Sequence, residues 1–239
     1  MERKEFLKRL GWSTLITPTL MGCQEENMDP NATGTDTDGE LTTDESCSLT
    51  PAETAGPFPT KNPSSLILQD ITADRAGVPM SIQITIQNSN NGCEALVGAL
   101  VDIWHCDKDG YYSEYGGTGM QSSNFMSVHF LRGRQTTNSD GQVGFNSIFP
   151  GWYTGRAPHI HVHIYDANGK SLLVTQIAFP TSVCDTAYTT ATQYYTRGKQ
   201  DTSNIGDGVF ADSLDDEMSS VTGSVTEGYT LTHRIVVAA

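Results

Sequence analysis

Three of the six histidines of this 239-residue chain, His159, His161 and His163, fall within five consecutive positions. In an extended strand the side chains at i and i+2 point the same way, so His159 and His161 share a face and His163 can follow them. A row of imidazoles is a natural metal platform. The bland alternative is a row of solvated or packed histidines, and so tight a concentration of a rare residue weighs against it. Spacing alone does not name the metal.

The neighbouring residues narrow the chemistry. Pro150-Gly151-Trp152-Tyr153-Thr154-Gly155-Arg156 leads into the histidine run through a Pro/Gly-rich loop that can carry the Tyr153 phenol to the same place. Further upstream, Gly110-Tyr111-Tyr112 lies just past a strand end, where loops often present functional side chains. No Cys-x-x-Cys pair occurs, and no carboxylate stands two or three residues from His159 and His161. Structural zinc and the iron(II) triad of two histidines and one carboxylate are therefore poorly supported.

These residues need strands to hold them, and the chain supplies short β-prone runs cut by turns. Ser81 to Gln87 alternates polar and apolar residues strictly, as a strand with one buried face must. Ala99 to His105, Gln142 to Ile148, Pro158 to Tyr165, Ser171 to Phe179 and Tyr229 to Val237 read as further strands, with turns such as Asn138 to Gly141 and Asp166 to Gly169 between them. The expected class is all-β, a sandwich of two mostly antiparallel sheets with long loops at the site. The segment from Asp185 to Met218 is polar and irregular, with room for a short helix. Trp104 reads as core packing, and His105, His129 and His233 as structural or surface histidines.

The N-terminus carries Arg3, Lys4, Lys8 and Arg9, then a mostly apolar run from Leu10 to Met21 that ends at Gly22. That is the pattern of an export signal over residues 1–22, and it resembles a twin-arginine signal with lysine in the second arginine position. Leu20-Met21-Gly22-Cys23 resembles a bacterial lipobox, so Cys23 is the expected lipidation site and the chain is expected at the cell envelope. Residues 23–46 are polar and acidic and read as a disordered tether, which leaves 47–239 as one catalytic domain.

With 14 basic against 28 acidic residues, the net charge of −14 argues against nucleic acid as a partner. Four further cysteines, Cys47, Cys93, Cys106 and Cys184, form an even set, and in an oxidising compartment they predict two disulfides of open connectivity.

From Cys47 to about residue 180 these motifs resemble the intradiol ring-cleavage dioxygenases, the family of protocatechuate 3,4-dioxygenase and catechol 1,2-dioxygenase. Thr54-Ala55-Gly56-Pro57-Phe58 resembles the run at the active-site mouth, and Val101-Asp102-Ile103-Trp104 the strand that precedes an iron-binding Gly-x-Tyr. Pro150-Gly151-Trp152-Tyr153 resembles the Pro-Gly-x-Tyr motif, and Arg156-Ala157-Pro158-His159-Ile160-His161 the Arg-x-x-His-Ile-His motif, which is the most specific of the set. Thr175-Gln176 resembles the strand that supplies a pocket glutamine.

The resemblance implies a non-haem iron(III) held by Tyr112, Tyr153, His159 and His161. It further implies that Tyr153 leaves the metal as a catechol binds, that Arg156 holds positive charge beside the ring, and that Gln176, Tyr111 and Phe58 line the pocket. Dioxygen would then cleave the ring to a cis,cis-muconate-type dicarboxylic acid. His163 stands where the family usually has a small residue and is admitted as a competing ligand or as a hydrogen-bond donor behind the ligands. Two other readings use the same residues: a surface lipoprotein that only binds ligands, and a metal enzyme built on the three histidines.

Overall fold

The computed structural model describes residues 47–117 and 119–239, so the signal segment 1–22, Cys23 and the tether to residue 46 fall outside the described residues. The described residues form two sheets. In the first, β1 (Pro79–Asn88) is central, antiparallel to β2 (Glu94–Ala95) and β5 (Gln142–Ile148) and parallel to β9 (Gly228–Val237), which pairs with β8 (Ser220–Ser224). The second runs β4 (Arg132–Thr136), β3 (Leu100–Trp104), β6 (His159–Tyr165), β7 (Ser171–Ala178), all antiparallel.

Alternation builds the core between them. Met80, Ile82, Ile84 and Ile86 of β1 and Leu231 and Ile235 of β9 are buried in one cluster with Val101 and Ile103 of β3 and Ile160, Val162 and Ile164 of β6. This is the expected all-β sandwich. A helix, α1 (Thr181–Thr190), adds Cys184, Ala187 and Tyr188 to the same core, and a short α2 (Leu214–Glu217) precedes β8.

Because Ile160 and Val162 face the core, His159 and His161 must face away from it. Register then aligns Arg132, Trp104, His161 and Gln176 as one row across β4, β3, β6 and β7. All four side chains are buried, although they lie on the face opposite the sandwich core. Loops must therefore cover that face.

The cysteine expectation needs correction. Cys47 and Cys93 form a disulfide, with Cα atoms 5.7 Å apart, but Cys106 and Cys184 are free and buried. Cys184 packs into the main core from α1, and Cys106 packs with Phe58, Trp104 and Tyr112. Both act as small apolar side chains, which is what a buried thiol does well.

Candidate metal centre

Two loops bring the tyrosines over the histidine row. Gly110, at φ 88°, lies against the Trp152 carbonyl, and Gly151 lies against the Lys108 carbonyl, so a Cβ at either position would collide with backbone. The Gly151 N–H donates to the Asp107 carbonyl at 3.1 Å. Glycine at these two places lets the loops that carry Tyr112 and Tyr153 pack backbone to backbone.

Tyr112 is held tightly. Its N–H donates to Gln121 Oε1 at 2.7 Å, and Gln121 Nε2 donates back to the Tyr112 carbonyl at 2.8 Å. Behind it, buried Arg132 donates to the Ser113 carbonyl at 2.7 Å and to the Phe58 carbonyl at 2.9 Å. Phe58 in turn stacks on the Tyr112 ring with centroids 4.8 Å apart.

The donor atoms converge. Tyr112 Oη lies 3.1 Å from His159 Nε2, which lies 3.1 Å from His161 Nε2. The Tyr153 ring stands edge-on to both Tyr112 and His159, with centroids 5.8 and 5.7 Å away. Donors about 2.1 Å from a shared ion and about 90 to 110° apart are themselves about 3.0 to 3.4 Å apart, so this spacing fits a common metal.

Protonation points the same way. His159 Nδ1 donates to the Ala157 carbonyl at 2.6 Å, which leaves the Nε2 lone pair facing the cluster. Burial, aided by Arg156, pushes His159 down to about 3, and burial with neighbouring His159 pushes His161 well below the usual imidazole range. Both rings are therefore neutral, the form in which an imidazole can bind a metal. Burial raises the Tyr112 phenol far above its ordinary value, and Arg156 and Arg132 oppose this only in part. A phenolate there needs a stronger positive charge, of the kind a multivalent metal ion would supply.

Among the described residues no three His, Cys, Asp or Glu side chains are grouped to hold a metal, so the centre depends on its phenols. His163 is not part of it. It sits about 7 Å along the strand from His161, across from Asp102 of β3, with its ring bonded to Ser171 Oγ and Tyr165 Oη at 2.8 Å each. The three-histidine site therefore does not form. Tyr111 also lies apart from the donors, with its ring 5.8 Å from that of Phe125.

Arg156 and Gln176 do meet at the cluster. Arg156 Nη2 donates to Gln176 Oε1 at 2.6 Å and Nη1 reaches Tyr153 Oη at 3.4 Å, while Gln176 Nε2 donates to the Thr54 carbonyl at 2.8 Å. Sequence reasoning missed Asp207, whose two carboxylate oxygens take Arg156 Nε at 2.9 and 2.8 Å. No motif marks it, since it lies in the irregular stretch after α1. Trp104, expected only as packing, lies flat under His161, with ring centroids 4.8 Å apart and planes within 3°.

The sequence profile of a family described as Dioxygenase, Dioxygenase_C, matches residues 55–205, more than half of the chain and a span that holds all four donors. The chain belongs to the intradiol ring-cleavage dioxygenase family. A chlorocatechol 1,2-dioxygenase of Rhodococcus opacus is 28% identical over 142 residues, which cover 52% of this chain and 51% of that protein. The chain thus spans about half the length of that curated relative. Among solved structures, an intradiol ring-cleavage dioxygenase from Tetranychus urticae is 28% identical with a TM-score of 0.69, over 80% of this chain and 95% of that one. The dioxygenase domain of a dioxygenase and carbohydrate-binding protein fusion from Streptomyces sp. SirexAA-E is 25% identical with a TM-score of 0.57, over 80% of this chain and 99% of that one.

Proposed function

We propose that the chain cleaves catechol-type rings between their hydroxyls with dioxygen, using a non-haem iron(III) held by Tyr112, Tyr153, His159 and His161. The observation that carries this reading is the meeting of the buried Tyr112 Oη, His159 Nε2 and His161 Nε2 within 3.1 Å of their neighbours, beside a second phenol. Two phenolates and two neutral imidazoles are donors that favour iron(III). Iron(III), when bound, supplies a Lewis acid that takes the catechol oxygens and draws electron density from the ring so that dioxygen can attack it.

The protein's own groups do the rest. Tyr153 Oη, the less buried of the two phenols, would be held as a phenolate by the metal and in that form could accept one catechol proton. Arg156 Nη1, within 3.4 Å of that oxygen, steadies the negative charge that moves across the ring. Gln176 and Asp207 keep the guanidinium from turning away. Trp104 and Phe58 exclude water from the inner side of the cluster and hold the planes of His161 and Tyr112. The expected product is a cis,cis-muconate-type dicarboxylic acid.

The test is mole-for-mole consumption of oxygen and catechol by iron-loaded protein with formation of cis,cis-muconate. A yellow semialdehyde product, or no oxygen uptake, counts against the reading.

We further propose that the enzyme is exported and anchored through lipid at Cys23, with the disulfide Cys47–Cys93 suiting an oxidising compartment. Metabolic labelling with palmitate should mark the wild type and not Cys23→Ala. Equal labelling of both would remove the anchor.

A further inference from the structure

Two loops must meet for both tyrosines to reach the histidine row, and Arg197 touches both of them. Its Nη1 donates to the Asp109 carbonyl at 2.9 Å, on the Tyr112 loop, and to the Trp152 carbonyl, on the Tyr153 loop. The guanidinium carbon lies 3.8 Å from the Trp152 ring centroid, and Trp152 Nε1 donates to the Gly198 carbonyl at 3.0 Å. Two carbonyl oxygens that accept from one nitrogen carry like partial charges and would repel each other without it. A cationic donor between them turns that repulsion into two charge-assisted hydrogen bonds. Gly110 leaves room for it, since a Cβ there would stand 2.6 Å from Arg197 Nη1.

The same stretch of chain fixes the start of the Tyr153 loop. Tyr188 Oη of α1 donates to the Pro150 carbonyl at 2.9 Å, and Tyr195 Oη donates to the Phe149 carbonyl at 2.7 Å. Both rings are buried in the main core, so these carbonyls are tied to a firm base. Of the three side chains, Arg197 is the one that bonds to both loops.

We propose that Arg197 is a positioning residue: it fixes the spacing of the two tyrosine loops and so keeps the Tyr153 phenol at the proposed iron centre. The proposal rests on the intradiol reading and adds to it a residue that touches neither phenol. Tyr112 has its own supports in Gln121, Arg132 and Phe58. The Tyr153 hydroxyl has a long contact of 3.4 Å to Arg156 Nη1, so its place is set chiefly through its backbone.

A phenol that gives way to substrate and returns at every turnover needs a loop that stays still while its side chain moves. Arg197 is exposed, so it steadies that loop from outside the pocket.

The experiment compares wild type with Arg197→Met and Arg197→Lys. Methionine keeps an apolar stem on the Trp152 ring and removes the donor, whereas a lysine ammonium can still donate to both carbonyls. In metal-free protein, amide hydrogen exchange at residues 109–112 and 151–154 should be faster in Arg197→Met than in wild type, and near the wild-type rate in Arg197→Lys. After iron loading, Arg197→Met should keep its iron through Tyr112, His159 and His161 but show a weaker, shifted phenolate band. Its kcat for catechol should fall on the order of tenfold with KM little changed. Arg197→Lys should restore the band and most of kcat. Should Arg197→Met not fold, Arg197→Gln takes its place with the same expectation. Unchanged exchange in both loops overturns the proposal, as does a wild-type band and kcat in the folded, iron-loaded variant, or a lysine variant no better than methionine. Wild-type protein that takes up no iron or shows no phenolate band instead removes the intradiol reading, and the positioning role with it.

Discussion

The Trp104 indole and the His161 imidazole lie parallel to within 3°, on adjacent strands at directly paired positions, with their centres 4.8 Å apart. The sheet register thus sets the plane of His161, a proposed ligand, through packing alone. Packing and chemistry share one contact here, which is why a reading of Trp104 as core was right about its burial and incomplete about its role.

Replacing Trp104 with alanine should cost about 3 to 5 kcal/mol of stability, the usual range for a buried tryptophan cut to alanine. It should also loosen iron more than Trp104→Phe does, because phenylalanine keeps a ring under His161. Thermal melts and metal content of both variants check this. Equal iron content in the two would deny the ring its orienting role.

The neighbouring tyrosines separate cleanly. Tyr112 Oη meets His159 Nε2 at 3.1 Å, whereas the Tyr111 ring faces Phe125. Tyr112→Phe should fold, since Phe58 still stacks on the ring, yet lose most of its bound iron and visible colour. Tyr111→Phe should keep both. The reverse pattern would mean that the ligand assignment is displaced by one residue.

How much of this was legible follows from what each element shows on its surface. The Ser81 to Gln87 alternation and the His-Ile-His-Val-His run announce β1 and β6, because one face of each must meet the core. β4 was missed because its inward position is Gly133, where a Cβ would press on Ile71, so Arg-Gly-Arg-Gln-Thr carries no apolar signal. β8, Ser-Val-Thr-Gly-Ser, has no buried residue and is equally silent. The side chains that converge at the proposed centre were readable through spaced motifs. Asp207 and Gln121 were not, because each acts through backbone or through another side chain from a loop with no period.

Glu217 gives a pH signature away from the site. Its residue is fully buried and one carboxylate oxygen has no partner. Burial pushes its carboxyl up to about 7, with the Ser213 hydroxyl opposing and Glu53 and Asp212 adding to the rise. A folded-state value above the unfolded one near 4.5 means the folded state binds the proton more tightly. The stability from Glu217 is therefore complete below about pH 4.5 and lost as pH rises through about 7. Glu217→Gln should match wild type in Tm near pH 4.5 and exceed it by a few degrees at pH 8. A Tm difference that ignores pH would contradict the shift.

The disulfide Cys47–Cys93 ties residues 46 positions apart and holds the start of the domain beside β9, where the Thr50 N–H donates to the Val236 carbonyl at 3.0 Å. Loop-closure entropy for that length amounts to at most about 4 kcal/mol. Replacing both cysteines with alanine should lower Tm while leaving iron content intact, because neither half-cystine touches the proposed iron-binding side chains. Loss of iron in the folded variant would show that the bridge also shapes the site.

The central claim, that two phenols and two imidazoles hold iron(III), is tested most directly by a visible absorption spectrum with iron analysis on purified protein, before and after anaerobic addition of catechol. The account predicts one iron per chain and a broad phenolate-to-iron band that moves to longer wavelength with catechol. It also predicts that the band is lost in Tyr112→Phe. A colourless protein that takes up zinc or no metal after iron reconstitution would contradict it.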